Sequence, residues 1–265
     1  MVRASFIMGT MNSSSRIEKT IDSLINQSIE DWELIVVDDG SSDNTFEILE
    51  NYAMRDSRIH CLQNKKNLKL AKTLNIAIKQ VNSPYLVRID DDDLCESDRL
   101  IKQLEFLDNN KEYAVCGSWA NLIEDGEKWG IRQIIERPKK LDIFRGKNFI
   151  HPSVMMRTSV IKEIGGYNES HVYDGCEDYE LWCRLYKNGY KGYNLQESLI
   201  LYSEGKSAYK KRSKVRRIRT LRANWIQKKE LMIGIEGYAF IFIKAMKLLV
   251  PNSIIYKFKK KSYGI

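Results

Sequence analysis

The chain has 265 residues, 43% of them hydrophobic, with only 4 prolines and 15 glycines. That is enough apolar material for one large domain or two small ones, and it excludes a low-complexity or disordered chain. Five cysteines (Cys61, Cys95, Cys116, Cys176 and Cys183) form no CxxC pair, which excludes a disulfide frame and predicts buried thiols in a reducing compartment. The net charge of +8 is unevenly spread: residues 205–265 hold 17 Lys and Arg against 2 Asp and Glu, and residues 1–204 hold 26 against 33. An acidic body therefore carries a basic tail, and the expected division is 1–205 and 206–265. The start, Met1-Val2-Arg3-Ala4-Ser5, leads straight into a strand-like run, so no signal peptide is expected.

In chain order, Ser5-Phe6-Ile7-Met8 reads as a short buried strand. Ser15 and Glu18 have capping-box spacing ahead of a helix carrying Ile17, Ile21, Leu24 and Ile25. Glu33 to Val37 is a second strand ending in Asp38-Asp39-Gly40, followed by a helix from about Asn44. Ile59 to Leu62 is a third strand. Leu70, Leu74, Ala77, Ile78 and Val81 mark a third helix, stopped at Ser83-Pro84 before the strand Tyr85 to Ile89. This β-α alternation over about 90 residues predicts a mostly parallel sheet with helices on both faces.

The second half is less regular: a helix from Leu100 to Leu107, a long strand Tyr113 to Ile123, and a hairpin turn at Asp125-Gly126. A strand Ser153 to Met156, a short helix Val160 to Ile164 and a helix through Glu177-Asp178-Tyr179-Glu180-Leu181-Trp182 follow.

Four aspartates, Asp90 to Asp93, close the fourth strand. Unpaired carboxylates cannot be buried cheaply, so they face water or a cation. In extended backbone, residues i and i+2 point the same way, which sets Asp90 beside Asp92, and hard oxygen ligands suit Mg²⁺ or Mn²⁺. The plain alternative is a solvated acidic turn. Against it, ligands of open α/β sheets bind beyond the carboxyl ends of the strands, where Asp38-Asp39 and the quartet both lie.

The segments SFIMGTMN (5–12), ELIVVDDGSSDNT (33–45), RIDDDDLCESDRLIKQ (88–103), HPSVMMRTSVIKEIGGYNE (151–169) and EDYELWCRL (177–185) stand in order. Together they resemble the family 2 glycosyltransferases, inverting enzymes of GT-A fold that use nucleotide-sugar donors, over roughly residues 4–205. The resemblance implies that Thr10, Asn12 and Asp39 contact the donor, with Thr10 and Asp39 lining a uracil pocket. It implies that Asp90 and Asp92 are the acids of a D-x-D element, Asp90 touching ribose or metal and Asp92 ligating Mn²⁺ or Mg²⁺. Asp91 is counted with the nucleotide-sugar contacts; its role and that of Asp93 stay open between support of the metal ligands and the acceptor side. Asp178 would be the general base, and His151 a metal ligand, a phosphate contact or a loop support. Trp182 and Trp119 fit the core better than an acceptor wall. The sequence departs from the usual pattern at Gly9 and Met11, where a proline and an aromatic are common, and at Lys69, where glycine is frequent. The loop after the last strand, Tyr202 to Ser207, offers only Lys206 for a metal or phosphate contact.

In the tail, Val215, Ile218, Leu221, Trp225 and Ile226 recur at helical spacing among Lys and Arg. Residues 231–250 read as one apolar helix with a single polar stripe of Glu236, Lys244 and Lys247, ill suited to spanning a bilayer but suited to lying in an anionic interface. The alternative is a helix packed on the body or on a second subunit. A cytoplasmic enzyme peripheral to the inner face of the cell membrane, acting on a saccharide or lipid-linked acceptor in surface-polysaccharide synthesis, is the resulting expectation. Three other classes compete less well. A nucleic-acid binder would use the tail but has an acidic body. A dinucleotide oxidoreductase would need the G-x-G-x-x-G that is missing after the first strand. A non-catalytic nucleotide-sugar module would have lost Asp178 or the Asp90/Asp92 pair.

Overall fold

The computed structural model describes residues 2–204, 214–250 and 263. The first half is the expected alternation: β1 (Ala4–Thr10), α1 (Ile17–Ile25), β2 (Trp32–Asp38), α2 (Thr45–Arg55), β3 (Ile59–Gln63), α3 (Leu70–Gln80) and β4 (Tyr85–Arg88). After it come β5 (Leu94–Cys95), α4 (Arg99–Asn109), β6 (Tyr113–Glu124), β7 (Glu127–Arg132), α5 (Lys140–Phe144), β8 (Met155–Arg157), α6 (Thr158–Glu163), α7 (Glu177–Lys187) and β9 (Lys191–Ser203). Two tail helices, α8 (Lys214–Glu230) and α9 (Glu236–Met246), complete the described chain.

The strands form one sheet in the order β3-β2-β1-β4-β8-β6-β9-β5, with β7 paired to β6. The β3-β2-β1-β4 part is parallel throughout, and antiparallel pairing enters with β8. Side-chain alternation along β1 and β2 explains why both faces are dry. Ile7, Ile35 and Val37 enter one core with α3, α6 and α7, while Phe6, Met8, Leu34 and Val36 enter the other with α1, α2 and α4. Strand order reverses direction at β1, with β2 on one side and β4 on the other. The crevice beyond the carboxyl ends of β1 and β4 is the switch point at which such sheets bind ligands.

Several local expectations shift. The Ser15 capping box does not form: α1 starts at Ile17, and the Ser13 carbonyl accepts the N–H groups of Arg16 and Ile17. The strand expected from Ser153 begins two residues later, because His151–Ser153 wind into a 3-10 turn closed from Ser153 N–H to the Ile150 carbonyl. Trp182 is fully buried, as a core residue. The Trp119 indole donates to the Ile134 carbonyl.

The charge boundary at 205 is not a packing boundary. Asn224 of α8 donates to the Tyr179 hydroxyl (2.6 Å) and the Phe144 carbonyl (3.3 Å), while Ala223, Leu231 and Ile233 are buried in the same core as α7. The helix expected over 231–250 is shorter, because Leu231 and Ile233 turn inward and Met232 adopts a positive φ of 56° before α9 starts. Of its polar stripe, Lys244 turns to the body, its ammonium donating to Asn224 Oδ1 at 2.8 Å, while Glu236 and Lys247 stay exposed. The opposite side is apolar and exposed, with Phe242 at 67%, Leu249 at 78% and Ile235 at 85%. Leu231→Ala is expected to lower the unfolding free energy by about 3 kcal/mol through the cavity it leaves. Ile235→Ser should change it by less than about 0.5 kcal/mol. Urea denaturation of the full chain distinguishes the two, and equal effects would show that α8 and its exit turn are not docked on the body.

Candidate active site

Two adjoining clefts open at the carboxyl edge of the sheet. The smaller, about 200 Å³, is lined by Thr10, Met11, Asp39, Asn67, Lys69 and Thr73. The larger, about 800 Å³, holds Asp90, His151 and Asp178 on one lining, and Leu70 borders both. Thr10 and Asp39 thus meet as expected.

Asp39 is buried at the end of β2, and its carboxylate accepts from Asn64 Nδ2 (2.8 Å) and Leu68 N–H (2.7 Å) on Oδ1 and from Lys69 N–H (3.0 Å) on Oδ2. A carboxylate has about four acceptor directions, so one on Oδ2 is left for a ligand N–H. Asp38 is fully buried and is spent on the turn, accepting from Ser41 and from Gln63 Nε2 at 3.0 Å. Asn12, at φ 53°, accepts the Ser42 N–H at 2.9 Å and stays exposed beside this cleft. Gly40, at φ 78°, lets the β2 exit turn run against the Lys66 backbone, where a Cβ would sit 3.0 Å away. Lys69 has the same sign of φ (78°) with ψ 153°, a region that costs a non-glycine residue about 1–3 kcal/mol. The two bonds its N–H makes, to Asp39 and Asn67, hold it there.

The acidic quartet is a turn. Strand β4 ends at Arg88 and Asp93 N–H reaches back to the Asp90 carbonyl at 3.4 Å. The strand alternation expected to align Asp90 with Asp92 therefore does not operate; proximity in the turn brings them together instead. Each carboxylate has its own surroundings. Asp90 pairs with the fully buried Arg88 guanidinium and faces the larger cleft. Asp91 turns toward the first loop, accepting from Thr10 Oγ1 (2.6 Å) and Ser13, with Arg16 at 3.6 Å. Half-buried Asp92 has its pKa pushed up to about 6 by burial and by the charges of Asp90 and Asp91. Asp93 is fully buried, accepts the Ser203 N–H at 2.7 Å, and is pushed well above the usual carboxylate range by burial and by Asp90 and Asp92.

Among the described residues no three His, Cys, Asp or Glu side chains converge to hold a metal unaided. The expected trio of Asp90, Asp92 and His151 is therefore no preformed cage. At His151 the Nε2 is engaged by the Tyr167 hydroxyl at 2.7 Å, and burial with the Arg88 charge separately lowers its pKa to about 3. Asp90 and Asp92 still fit a hard cation. Asp92 is crowded by two neighbouring carboxylates, and a cation placed between them would relieve that repulsion. Mg²⁺-type ions are commonly held by one or two carboxylates with substrate phosphates completing the shell.

Asp178 is the second residue of α7 and lines the larger cleft, its Oδ1 accepting the Tyr179 N–H at 2.8 Å. Buried Glu177 beside it is pushed up to about 7 by burial and by the Asp178 charge, and accepts the Gly175 N–H at 2.8 Å. Sequence reading passed over Glu177 as a partner of Asp178, and over Arg88, the one charge in an apolar strand, which was the signal available. The cleft also takes a wall of cations, Arg216, Arg217, Lys244 and Lys247, from the tail helices. Their charge was legible in the sequence but their position was not.

A parallel half-sheet with an acidic turn at its switch point, and an acid at a helix start across the cleft, defines the GT-A class. The sequence model named Glycosyl transferase family 2 matches residues 5–165. The chain is 32% identical over 260 residues to EpsE of Bacillus subtilis (strain 168), described as a glycosyltransferase, covering 98% of this chain and 94% of that protein. It is 25% identical over 236 residues to the UDP-Gal:alpha-D-GlcNAc-diphosphoundecaprenol beta-1,3-galactosyltransferase of Escherichia coli, covering 85% of each. Its fold is similar to that of S. aureus TarS 1–349 in complex with UDP-GlcNAc, with a TM-score of 0.67 at 21% identity over 87% of this chain and 70% of that one. It is also similar to the mannosyltransferase PcManGT from Pyrobaculum calidifontis in complex with GDP-Man and Mn²⁺, with a TM-score of 0.64 at 17% identity over 94% of this chain and 70% of that one. The chain belongs to glycosyl transferase family 2.

Proposed function

We propose that the protein is an inverting, metal-assisted glycosyltransferase that moves a sugar from a UDP-sugar to a hydroxyl of a saccharide or lipid-linked acceptor in surface-polysaccharide assembly. The observation that carries this reading is the larger cleft, whose single lining puts Asp178 and Asp90 around one space. The UDP-linked relative and the UDP-GlcNAc complex of the structural neighbour support the choice of donor.

In this reading Asp39 accepts the uracil N3–H on its remaining Oδ2 direction, and Thr10 and Asn12 border the nucleoside. Asp90 and Asp92 would hold Mn²⁺ or Mg²⁺, which would neutralise charge on the departing nucleoside diphosphate. Asp178 accepts the proton of the acceptor hydroxyl as its oxygen bonds to the anomeric carbon. The bond from that carbon to the phosphate oxygen breaks in the same displacement, and its electron pair leaves with the nucleoside diphosphate. Arg88 holds Asp90 at the cleft, and Glu177 sets a second, titratable carboxyl beside Asp178.

Asp178→Asn is expected to reduce kcat about 100-fold or more, the usual worth of a general base, while UDP affinity stays within a few-fold. Because Glu177 titrates at about 7 and protonation removes a negative charge from the base pair, kcat/KM should fall as pH drops through that value. Glu177→Gln should flatten this acidic limb, and an unchanged limb would assign it elsewhere.

The metal assignment is checked separately. Asp92→Ala should abolish Mn²⁺- or Mg²⁺-stimulated release of UDP from the donor without changing the circular dichroism spectrum; full transfer in excess chelator would remove the metal from the scheme.

Peripheral membrane attachment belongs to the same proposal. No helix among the described residues is long and apolar enough to cross a membrane. Among the described residues, eleven of the fifteen exposed large hydrophobic side chains nevertheless lie between Val215 and Leu249, on the segment richest in Lys and Arg. Basic residues near an anionic surface contribute about 1 kcal/mol each, and an inserted apolar face adds to them. The full chain should co-sediment with vesicles containing phosphatidylglycerol, and Phe242→Glu with Leu249→Glu should release it. Failure of the unmodified protein to sediment at low salt would refute the attachment.

A further inference from the structure

The larger cleft carries more positive charge than its proposed chemistry uses. Its described lining has three acids, Asp90, Glu177 and Asp178, against five cations, Arg132, Arg216, Arg217, Lys244 and Lys247. Four of the five cations come from α8, α9 and the turn after α9. They do not belong to the nucleoside end, which lies at Thr10 and Asp39.

They stand on the other side of the reaction. In an inverting displacement the attacking oxygen approaches opposite the leaving diphosphate, so the groups around the base face the acceptor. Arg216 is fixed there, its Nε donating to the Gly175 carbonyl at 2.7 Å three residues before Asp178. Arg217 is held by the carbonyls of Lys247 (3.4 Å) and Val250 (2.9 Å), which ties α8 to the end of α9. Lys244 is anchored on Asn224, and burial lowers its pKa to about 8 with the Lys247 charge adding to the effect. Cations crowded in this way are relieved by an anion. Beside them Leu221 and Leu248 line the same cleft, and the exposed Phe242, Met246 and Leu249 lie on α9 and the turn after it, Leu249 next in the chain to Leu248.

We infer that the C-terminal helices form a second phosphate subsite, in which Arg216 and Lys247, supported by Arg217 and Lys244, bind the phosphate or diphosphate of an acceptor whose hydrocarbon chain leaves along the apolar side of α9. This deepens the glycosyltransferase reading and rests on it for the side of the cleft assigned to the acceptor. It divides the chain by substrate: residues 1–204 supply the donor contacts and the base, and the tail supplies the acceptor anchor.

The test is calorimetric, on the full chain, with decyl diphosphate below its micelle concentration as probe. UDP with Mn²⁺ is titrated first, then decyl diphosphate into the UDP-saturated protein. Decyl diphosphate is expected to bind while UDP is bound. The double variant Arg216→Gln, Lys247→Gln should weaken it about tenfold or more, the scale of one charge-assisted hydrogen bond, with UDP affinity within about twofold. Inorganic diphosphate binding as tightly as decyl diphosphate would assign the affinity to the phosphates alone; tighter decyl diphosphate would add the apolar rim; either supports the subsite. Displacement of decyl diphosphate by UDP, unchanged binding by the double variant, or equal binding of neutral decyl maltoside through the same residues would overturn it. If UDP itself does not bind, the donor reading fails, and decyl diphosphate titrated alone into wild type and variant still decides the subsite.

Discussion

Four consecutive carboxylates in one turn repel one another, and the site exists because buried guanidinium groups lie beneath them. At an effective dielectric of ~20, two like charges ~4 Å apart cost about 4 kcal/mol, so the Asp90–Asp93 turn could not hold its shape unsupported. Arg88 is fully buried and pairs with Asp90. Burial works against its charge, yet Asp90, Tyr167 and Asp93 more than offset that and raise its pKa. Arg99, also fully buried, donates to the Arg88 carbonyl at 2.9 Å and to the Val154 carbonyl at 3.4 Å, stitching the end of β4 to the segment entering β8. The two arginines fix the turn while leaving Asp92 underneutralised. In the proposed function a divalent cation would complete that balance.

The first half of the fold was legible because its signal is periodic and local. Apolar runs that are buried on both faces, helices with Leu and Ile at 3.6-residue spacing, and acids at strand ends each point to the same parallel sheet. What could not be read depends on turns and distant contacts. The period-two rule placed Asp90 beside Asp92, but it holds only in extended backbone, and β4 ends at Arg88. His151 stayed open between metal ligand, phosphate contact and loop support because Tyr167, its partner, is sixteen residues away across a short helix and two glycines. Glu177 looked like an ordinary first-turn acid; only its burial beside Asp178 shows that it titrates near neutrality.

The tail shows how composition can be right about charge and silent about direction. The lysine and arginine excess after residue 205 was plain, and so was the amphipathic character of the last helix. The sequence left the helix open between an anionic interface and packing on the body; Lys244 reaches inward to Asn224 and the apolar side looks out. An amphipathic pattern fixes that two faces differ; it does not say which one meets the protein, because a polar cleft can take the polar face. Here the cleft is polar because Asp178 and Glu177 open into it. Packing and surface display are therefore compatible: Leu231 and Ile233 dock the segment, and Phe242 and Leu249 remain exposed.

The same reasoning applies to Lys69, at the opposite end of the site. A lysine at φ 78° and ψ 153° is strained where a glycine would not be. Its N–H and that of Leu68 both end on Asp39, so the strained turn is held by a carboxylate that lines the smaller cleft. The cost of the lysine is thereby coupled to the ordering of Asp39: relaxing the turn would release two N–H donors and free the carboxylate to rotate. Replacing Lys69 by glycine removes the strain but also the backbone restriction that keeps Asp39 aimed with one acceptor direction open. The departure from glycine at this position is a local trade of backbone energy for a fixed hydrogen-bond acceptor, and its effect falls on the smaller cleft that Asp39 and Lys69 line.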